Sequence, residues 1–160
     1  HVEPIWLYSK KIKSLKELKK GASIAIPNDP SNGGRALILL NNKKLLVLKD
    51  PKNLYATEFD VVKNPNNFTF KAVEAAQLPR VLSDVDAALI NGNYALESGL
   101  NPSKDALLLE GEESPYANII AVKTGKEKNP DIQKLLKALH DPKVKEFINK
   151  QYKGGVVAAF

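Results

Sequence analysis

The order of local signals along this chain predicts an α/β protein, with strands and helices alternating in layers around a mainly parallel sheet. Three observations carry the prediction. The apolar run Ala22-Ser23-Ile24-Ala25-Ile26 passes directly into a turn-rich loop, Pro27 to Arg35, and then into a helical segment, Ala36 to Leu40. A second apolar run, Val85 to Ile90, is bounded by turn residues, as a buried parallel strand would be. Asn129-Pro130 and Asp141-Pro142 each set a capping side chain before a proline at the first helical position.

The elements follow in order. Val2 to Tyr8 reads as a strand. Ser14-Leu15-Lys16-Glu17 has the form of a capping box and starts a short helix that Gly21 ends. After the strand at Ala22–Ile26, a helix runs from about Asn32. Lys44 to Leu48 fits a short strand or a loop, and Thr57 to Lys63 fits a helical turn with Asp60 and Lys63 facing outward. Asn64-Pro65-Asn66-Asn67 is turn chemistry. Phe68 to Val73 reads as a strand, Gln77 to Ser83 as a short helix, and Ala117 to Val122 as another strand. The last two helices, about 130–140 and 142–152, carry apolar stripes: Ile132, Leu135, Leu136 and Leu139 on one, Val144, Phe147 and Ile148 on the other. Gly154-Gly155 stops the second. No internal repeat or low-complexity segment is visible.

The chain has 160 residues, enough for one core or for parts of two small lobes. No stretch approaches the roughly 18 apolar residues of a membrane-spanning helix. No secretory signal is visible, and the chain opens at His1 without an initiator methionine, so it is expected to be a piece of a longer protein. The net charge is +6. Lysines cluster at Lys10 to Lys13, Lys16 to Lys20, Lys43-Lys44 and Lys123 to Lys128, but aromatics are not interleaved with them. Solvated helix faces are expected there, and no nucleic-acid partner. With no cysteine, disulfides, zinc–thiolate sites and cysteine nucleophiles are excluded within this chain.

The loop Pro27-Asn28-Asp29-Pro30-Ser31-Asn32-Gly33-Gly34-Arg35 carries the sharpest chemical signal. Its glycines let backbone approach a ligand, and the free N–H groups of a helix start attract anions. Arg35 adds a cation where the helix dipole disfavours one, unless an anion sits beside it. Only Arg35 and Arg80 among the 24 basic residues are arginines. Arginine is the planar fork that grips a carboxylate with two hydrogen bonds. Two readings stand: a receptor for a small carboxylate or phosphate, and an ordinary strand–helix turn with an exposed arginine. Asn91, just after the strand Val85–Ile90, and Asn118, in Ser114-Pro115-Tyr116-Ala117-Asn118, share this ambiguity. Asparagine both donates and accepts, so with Arg35 the pair suits a zwitterion such as an amino acid. It also commonly caps turns.

Other chemistry is not visible. The two histidines, His1 and His140, lie in no triad or metal spacing, and His140 is placed to stabilise a helix C-terminus. Glu110, Glu112 and Glu113 read as a solvated acidic turn, not a metal site. With no nucleophile or acid–base constellation, no enzyme activity, metal or cofactor is expected.

Taken together, the segments resemble a known family. Tyr8-Ser9-Lys10-Lys11-Ile12-Lys13-Ser14-Leu15, then Ile26-Pro27-Asn28-Asp29-Pro30 with Asn32 and Gly34-Arg35, then Gln77-Leu78-Pro79-Arg80, then Ile90-Asn91 with Asn93-Tyr94-Ala95, then Ser114-Pro115-Tyr116 with Asn118, occur in the order of the methionine-binding lipoproteins (NlpA type). These are the substrate-binding proteins of methionine ABC importers. The resemblance runs from His1 to Phe160. It implies a type 2 periplasmic-binding-protein fold, in which two α/β lobes close on a ligand cleft. Residues 1–13 would be a crossover strand and part of lobe 1. Residues 14–113 would be lobe 2, and residues 114–160 the return crossover strand and C-terminal helices of lobe 1. Arg35 matches the arginine that grips the ligand carboxylate. Asn91 and Asn118 match asparagines that hold the amino-acid head group, and His1 matches a position lining the cleft.

The implied function is capture of L-methionine, or a close analogue, and delivery to the membrane subunits of an ABC importer. Alternatives are a methionine-containing dipeptide or another small amino acid on the same scaffold, or a surface adhesin or antigen using the lysine-rich face. The implied location is the periplasm or cell surface, lipid-anchored in the full-length parent, with the anchor outside this chain. The resemblance further implies that the N-terminal part of lobe 1, with much of its aromatic wall, would lie outside this sequence. The chain is therefore expected either to be trimmed from a longer protein or to pair with another chain that completes lobe 1. Trp6 stands where the family commonly has a small residue, which is expected to alter the cleft near the first crossover.

Overall fold

Four consecutive buried residues, Ile5–Tyr8, make the first strand, β1. The computed structural model describes residues 1–111, 114–152 and 154–160. After β1 come β2 (Ser23–Pro27), helix α1 (Pro30–Asn42), and the short strands β3 (Val47–Leu48) and β4 (Val61–Lys63), which pair with each other antiparallel. Then follow β5 (Thr69–Val73), the single-turn helix α2 (Leu78–Val81), β6 (Ala87–Asn91), α3 (Gly92–Glu97), α4 (Pro102–Asp105) and β7 (Ala106–Leu109). The chain ends with α5 (Pro130–Leu139) and α6 (Pro142–Tyr152). It divides into a larger unit, Ile5–Glu110, and a smaller one made of His1–Pro4 and Gly111–Phe160.

The larger unit is built on a five-stranded sheet in the order β5-β2-β6-β1-β7. β2 runs parallel to β5 and β6, but β1 runs antiparallel to both β6 and β7. The expected mainly parallel sheet is thus a mixed one. The reason is physical: burial and alternation report which face a side chain takes, not which way its strand runs. Alternation sends Ile5, Leu7, Ile24, Ile26, Ala87 and Leu89 to one face, where Ala36, Leu37 and Leu40 of α1 pack on them. Trp6, Tyr8, Ala25, Ala88 and Ile90 take the other face, under Leu78, Leu82 and Ala95. The Trp6 indole therefore lies inside this core. Its N–H, like the Tyr8 hydroxyl, is buried without a partner among the described residues. Burial pushes the Tyr8 hydroxyl well above its ordinary pKa, with nearby Asp105 adding to the shift.

Asp86, at the start of β6, joins two strands. Its Oδ2 accepts from the Ser23 N–H (2.8 Å) and the Ser23 hydroxyl (2.9 Å), and its Oδ1 accepts from Lys11 Nζ (3.2 Å). The Ser23 N–H chiefly, with the Ser23 hydroxyl and Lys11, holds this carboxyl below the usual range against a partial desolvation cost.

Several expectations change in detail. The Ser14 hydroxyl accepts from the Lys16 N–H, but only the short 3₁₀ turn Leu15–Glu17 follows. Gly21 then turns at φ +81°. Of the helical turn expected over Thr57–Lys63, only Glu58–Asp60 is helical. Val61–Lys63 leaves it to pair with β3, as the β-branched Val61 and Val62 favour.

In the smaller unit, both Asx–Pro devices work as read. Asn129 Oδ1 accepts from the Asp131 N–H and Asp141 Oδ1 from the Lys143 N–H, each at 2.9 Å. His140 caps the end of α5, its N–H donating to the Leu136 carbonyl, and its ring stacks on Phe160 with centroids 4.8 Å apart. The strand expected over Ala117–Val122 does not form. Among the described residues, the smaller unit's β pairing is the isolated bridge Val2–Val157. An apolar run without a neighbouring ladder leaves its backbone groups to other partners. Here the Asn118 N–H donates to the His1 carbonyl at 2.8 Å, and Ile119 is 84% exposed.

Candidate functional site

The residues singled out from the sequence fall in two groups, one in each unit. In the larger unit, α1 supplies Asn32 and Arg35, three residues apart and therefore on one helical face. Asp29 caps this helix, accepting from the Asn32 N–H at 2.9 Å, and Pro30 occupies the first turn. The helix thus starts earlier than expected, and Arg35 sits in its second turn, not at the exposed positive end. Asp29-Pro30 is the same device as Asn129-Pro130. The glycines also serve another purpose than the one read. A β-carbon on Gly34 would collide with the Leu54 carbonyl, and one on Gly33 would lie 2.9 Å from the Pro27 carbonyl oxygen. They let α1 pack against the chain's own backbone.

Arg35 is buried, at 7% exposed, and the anion beside it belongs to the chain: Glu110, at 8%. Arg35 Nε donates to both carboxylate oxygens at 2.9 Å, and Nη2 donates to Oε2. Oε2 also accepts from the Ile5 N–H at 3.1 Å, while the Glu110 N–H donates to the Ile5 carbonyl at 3.2 Å. The expected solvated turn is overturned at Glu110, because β7 carries it against the end of β1. Glu112 and Glu113 lie outside the described residues. Arg80 is the contrasting arginine: exposed, with Nη1 donating to Gln77 Oε1 at 3.2 Å.

Asn91 ends β6 and stands opposite Ile5 in the β6–β1 register. Its Nδ2 donates to Asn32 Oδ1 at 2.9 Å, which leads back to α1. Its Oδ1 is buried with no hydrogen-bond partner among the described residues. Arg35, Glu110, Ile5, Asn91 and Asn32 thus form one linked set, reached from the carboxyl ends of the parallel neighbours β2 and β6. In α/β sheets that end is where ligands bind. A buried amide oxygen without a donor is costly, and a ligand N–H or ammonium would satisfy it.

In the smaller unit, Asn118 and His1 are bonded to each other. Besides the backbone bond, Asn118 Nδ2 lies 3.2 Å from His1 Nε2, which is also 3.3 Å from Glu3 Oε1. One ring nitrogen cannot both donate to the carboxylate and accept from the amide, so the tautomer decides which bond forms. Both side chains of the His1–Glu3 pair are partly exposed.

Sequence reasoning missed Asn32 and Glu110. For Glu110 a signal existed: Asn101-Pro102 repeats the helix-starting device, and the apolar run Ala106–Leu109 after it is strand β7. Among the described residues no group of three or more histidine, aspartate or glutamate side chains could hold a metal ion. No helix among them is long and apolar enough to cross a membrane.

This mixed α/β fold is that of periplasmic substrate-binding proteins. It aligns with a nutrient-binding protein from Burkholderia cenocepacia, solved bound to methionine, at 52% identity and TM-score 0.84, over 99% of this chain and 67% of that one. An ABC transporter periplasmic substrate-binding protein from Coxiella burnetii aligns at 47% identity and TM-score 0.84, over 99% of this chain and 66% of its own. The family model described as NlpA lipoprotein matches residues 1–160, and the chain belongs to that family. The D-methionine-binding lipoprotein MetQ of Escherichia coli K12 is 46% identical over 158 residues, which is 98% of this chain and 58% of the relative. The chain spans between 56% and 58% of the length of curated relatives such as these.

Proposed function

We propose that this chain is the ligand-gripping portion of a solute-binding lipoprotein that captures methionine and hands it to the membrane subunits of an ABC importer. The observation that carries this reading is the 52% identity, across nearly the whole chain, to a protein solved with methionine bound. The linked polar set of the larger unit supports it chemically. In this reading Arg35 takes the ligand carboxylate, the unsatisfied Asn91 Oδ1 takes its ammonium, and Asn118 and His1 complete the head-group contacts. The role is binding rather than catalysis. The lipid anchor of the parent protein would hold it at the periplasmic or outer face of a membrane.

Calorimetric titration with L-methionine and D-methionine tests the reading, and the relative named for D-methionine makes both enantiomers necessary. Binding is expected, weakened by at least about tenfold in methioninol, whose hydroxymethyl group cannot pair with a cation, because a charged hydrogen bond is lost. Asn91→Ala is expected to weaken methionine similarly. Equal affinity for methionine and methioninol would remove Arg35 from the site. No binding of either enantiomer would overturn the proposal for this chain.

A further inference from the structure

We propose that Glu110 is a positioning residue that couples Arg35 to the two places where the chain passes between its units. The chain enters the larger unit at Ile5 and leaves it at Glu110. These two residues are joined twice: the Glu110 N–H donates to the Ile5 carbonyl, and the Ile5 N–H donates to Glu110 Oε2. The same Oε2 accepts from Arg35 Nε and Nη2. One carboxylate oxygen therefore ties a buried arginine of α1 to both passages. A pair that only stabilised the sheet could sit anywhere along β7. Glu110 follows β7 where the chain leaves the larger unit and is bonded to Ile5 where it enters, so a change in the guanidinium reaches both passages. Because both partners are buried, the carboxylate cannot exchange Arg35 for water without leaving a charge unpaired. A methionine carboxylate drawing on the guanidinium would shift the share of hydrogen bonding that Glu110 gives to Ile5. That last step rests on the methionine reading, while the coupling of Arg35 to Ile5 does not.

Amide hydrogen exchange at Ile5, read by NMR on the 160-residue chain, tests the coupling, with calorimetry reporting methionine binding separately. In Arg35→Lys, which keeps the charge and loses the fork, Ile5 exchange is expected to rise about tenfold without ligand, while Leu89 in the central strand does not change. Saturating methionine is expected to change Ile5 exchange in the parent chain, but not in Glu110→Gln that calorimetry shows to be loaded. An unchanged Ile5 amide in ligand-free Arg35→Lys would overturn the coupling. So would the same ligand response in Glu110→Gln as in the parent. If Glu110→Gln does not fold, the Arg35→Lys comparison decides alone. If the parent chain binds no methionine, the methionine reading falls, and the ligand-free comparison still supports or overturns the coupling.

Discussion

The larger unit covers both faces of its sheet, whereas the smaller unit leaves much of its apolar stripe in water. Leu37, Leu40 and Leu89 are fully or almost fully buried, but Leu135 is 46% and Phe147 58% exposed. Both units carry helix caps of the same kind, and the helices form in both. The difference shows that capping and apolar periodicity settle whether a helix forms, while burial needs a facing layer. The same holds for polar groups. Arg35 and Glu110 are paired in the interior, whereas His1, Glu3 and Asn118 bond at the surface.

Six substitutions, two of them in the smaller unit, would break or sharpen this contrast. Arg35→Ala should have the largest effect, costing about 3–5 kcal/mol of stability, because it leaves the Glu110 carboxylate buried without its cation. Asn118→Ala, in the smaller unit, should stay within about 0.5 kcal/mol. Paired denaturant melts check both, and similar costs would erase the distinction. Next, Leu37→Ala should cost about 2–5 kcal/mol by opening a cavity under the sheet. Phe147→Ala in the same melts should cost about 0.5 kcal/mol or less.

Gly34→Ala should cost about 1–3 kcal/mol, since the added methyl meets the Leu54 carbonyl and backbone must move. Thermal unfolding measures this, and an unchanged midpoint would mean that α1 is held less closely than it looks. Asp86→Asn should cost less than the other substitutions in the larger unit, about 1 kcal/mol or less for a partly exposed group. Its folded-state pKa is lowered, so the stabilisation is fully present above the unfolded aspartate value of about 4. It is lost as pH falls through the lower folded value. The gap between parent and variant should therefore close on acidification. A gap independent of pH would assign the effect to packing.

Much of this architecture was legible where local chemistry decides it. The proline-marked helix starts at Pro130 and Pro142 and the strands at Ser23–Pro27 and Ala87–Asn91 stand close to where the sequence puts them. What escaped was decided at long range. The direction of β1 depends on partners far along the chain, and Ala117–Val122 has strand composition without a strand beside it. The site divides in the same way. Arg35 and Asn91 could be singled out by residue type and place. For Glu110 the sequence marks the strand before it but not its burial, which depends on β7 lying next to β1; a run of glutamates looks like surface until that pairing is known. Asn32 was hidden because its partner, Asn91, is 59 residues away.

Trp6 is the chain's one tryptophan, and it is buried in the larger unit, between the sheet and the layer formed by Leu78, Leu82 and Ala95. The molecule therefore carries its own optical reporter, installed in one unit alone. Indole emission shifts to the red as water reaches it, so a melt followed by tryptophan fluorescence records the opening of the sheet. Far-ultraviolet circular dichroism also records α5 and α6. Any separation between the two curves would measure directly how independently the two units come apart.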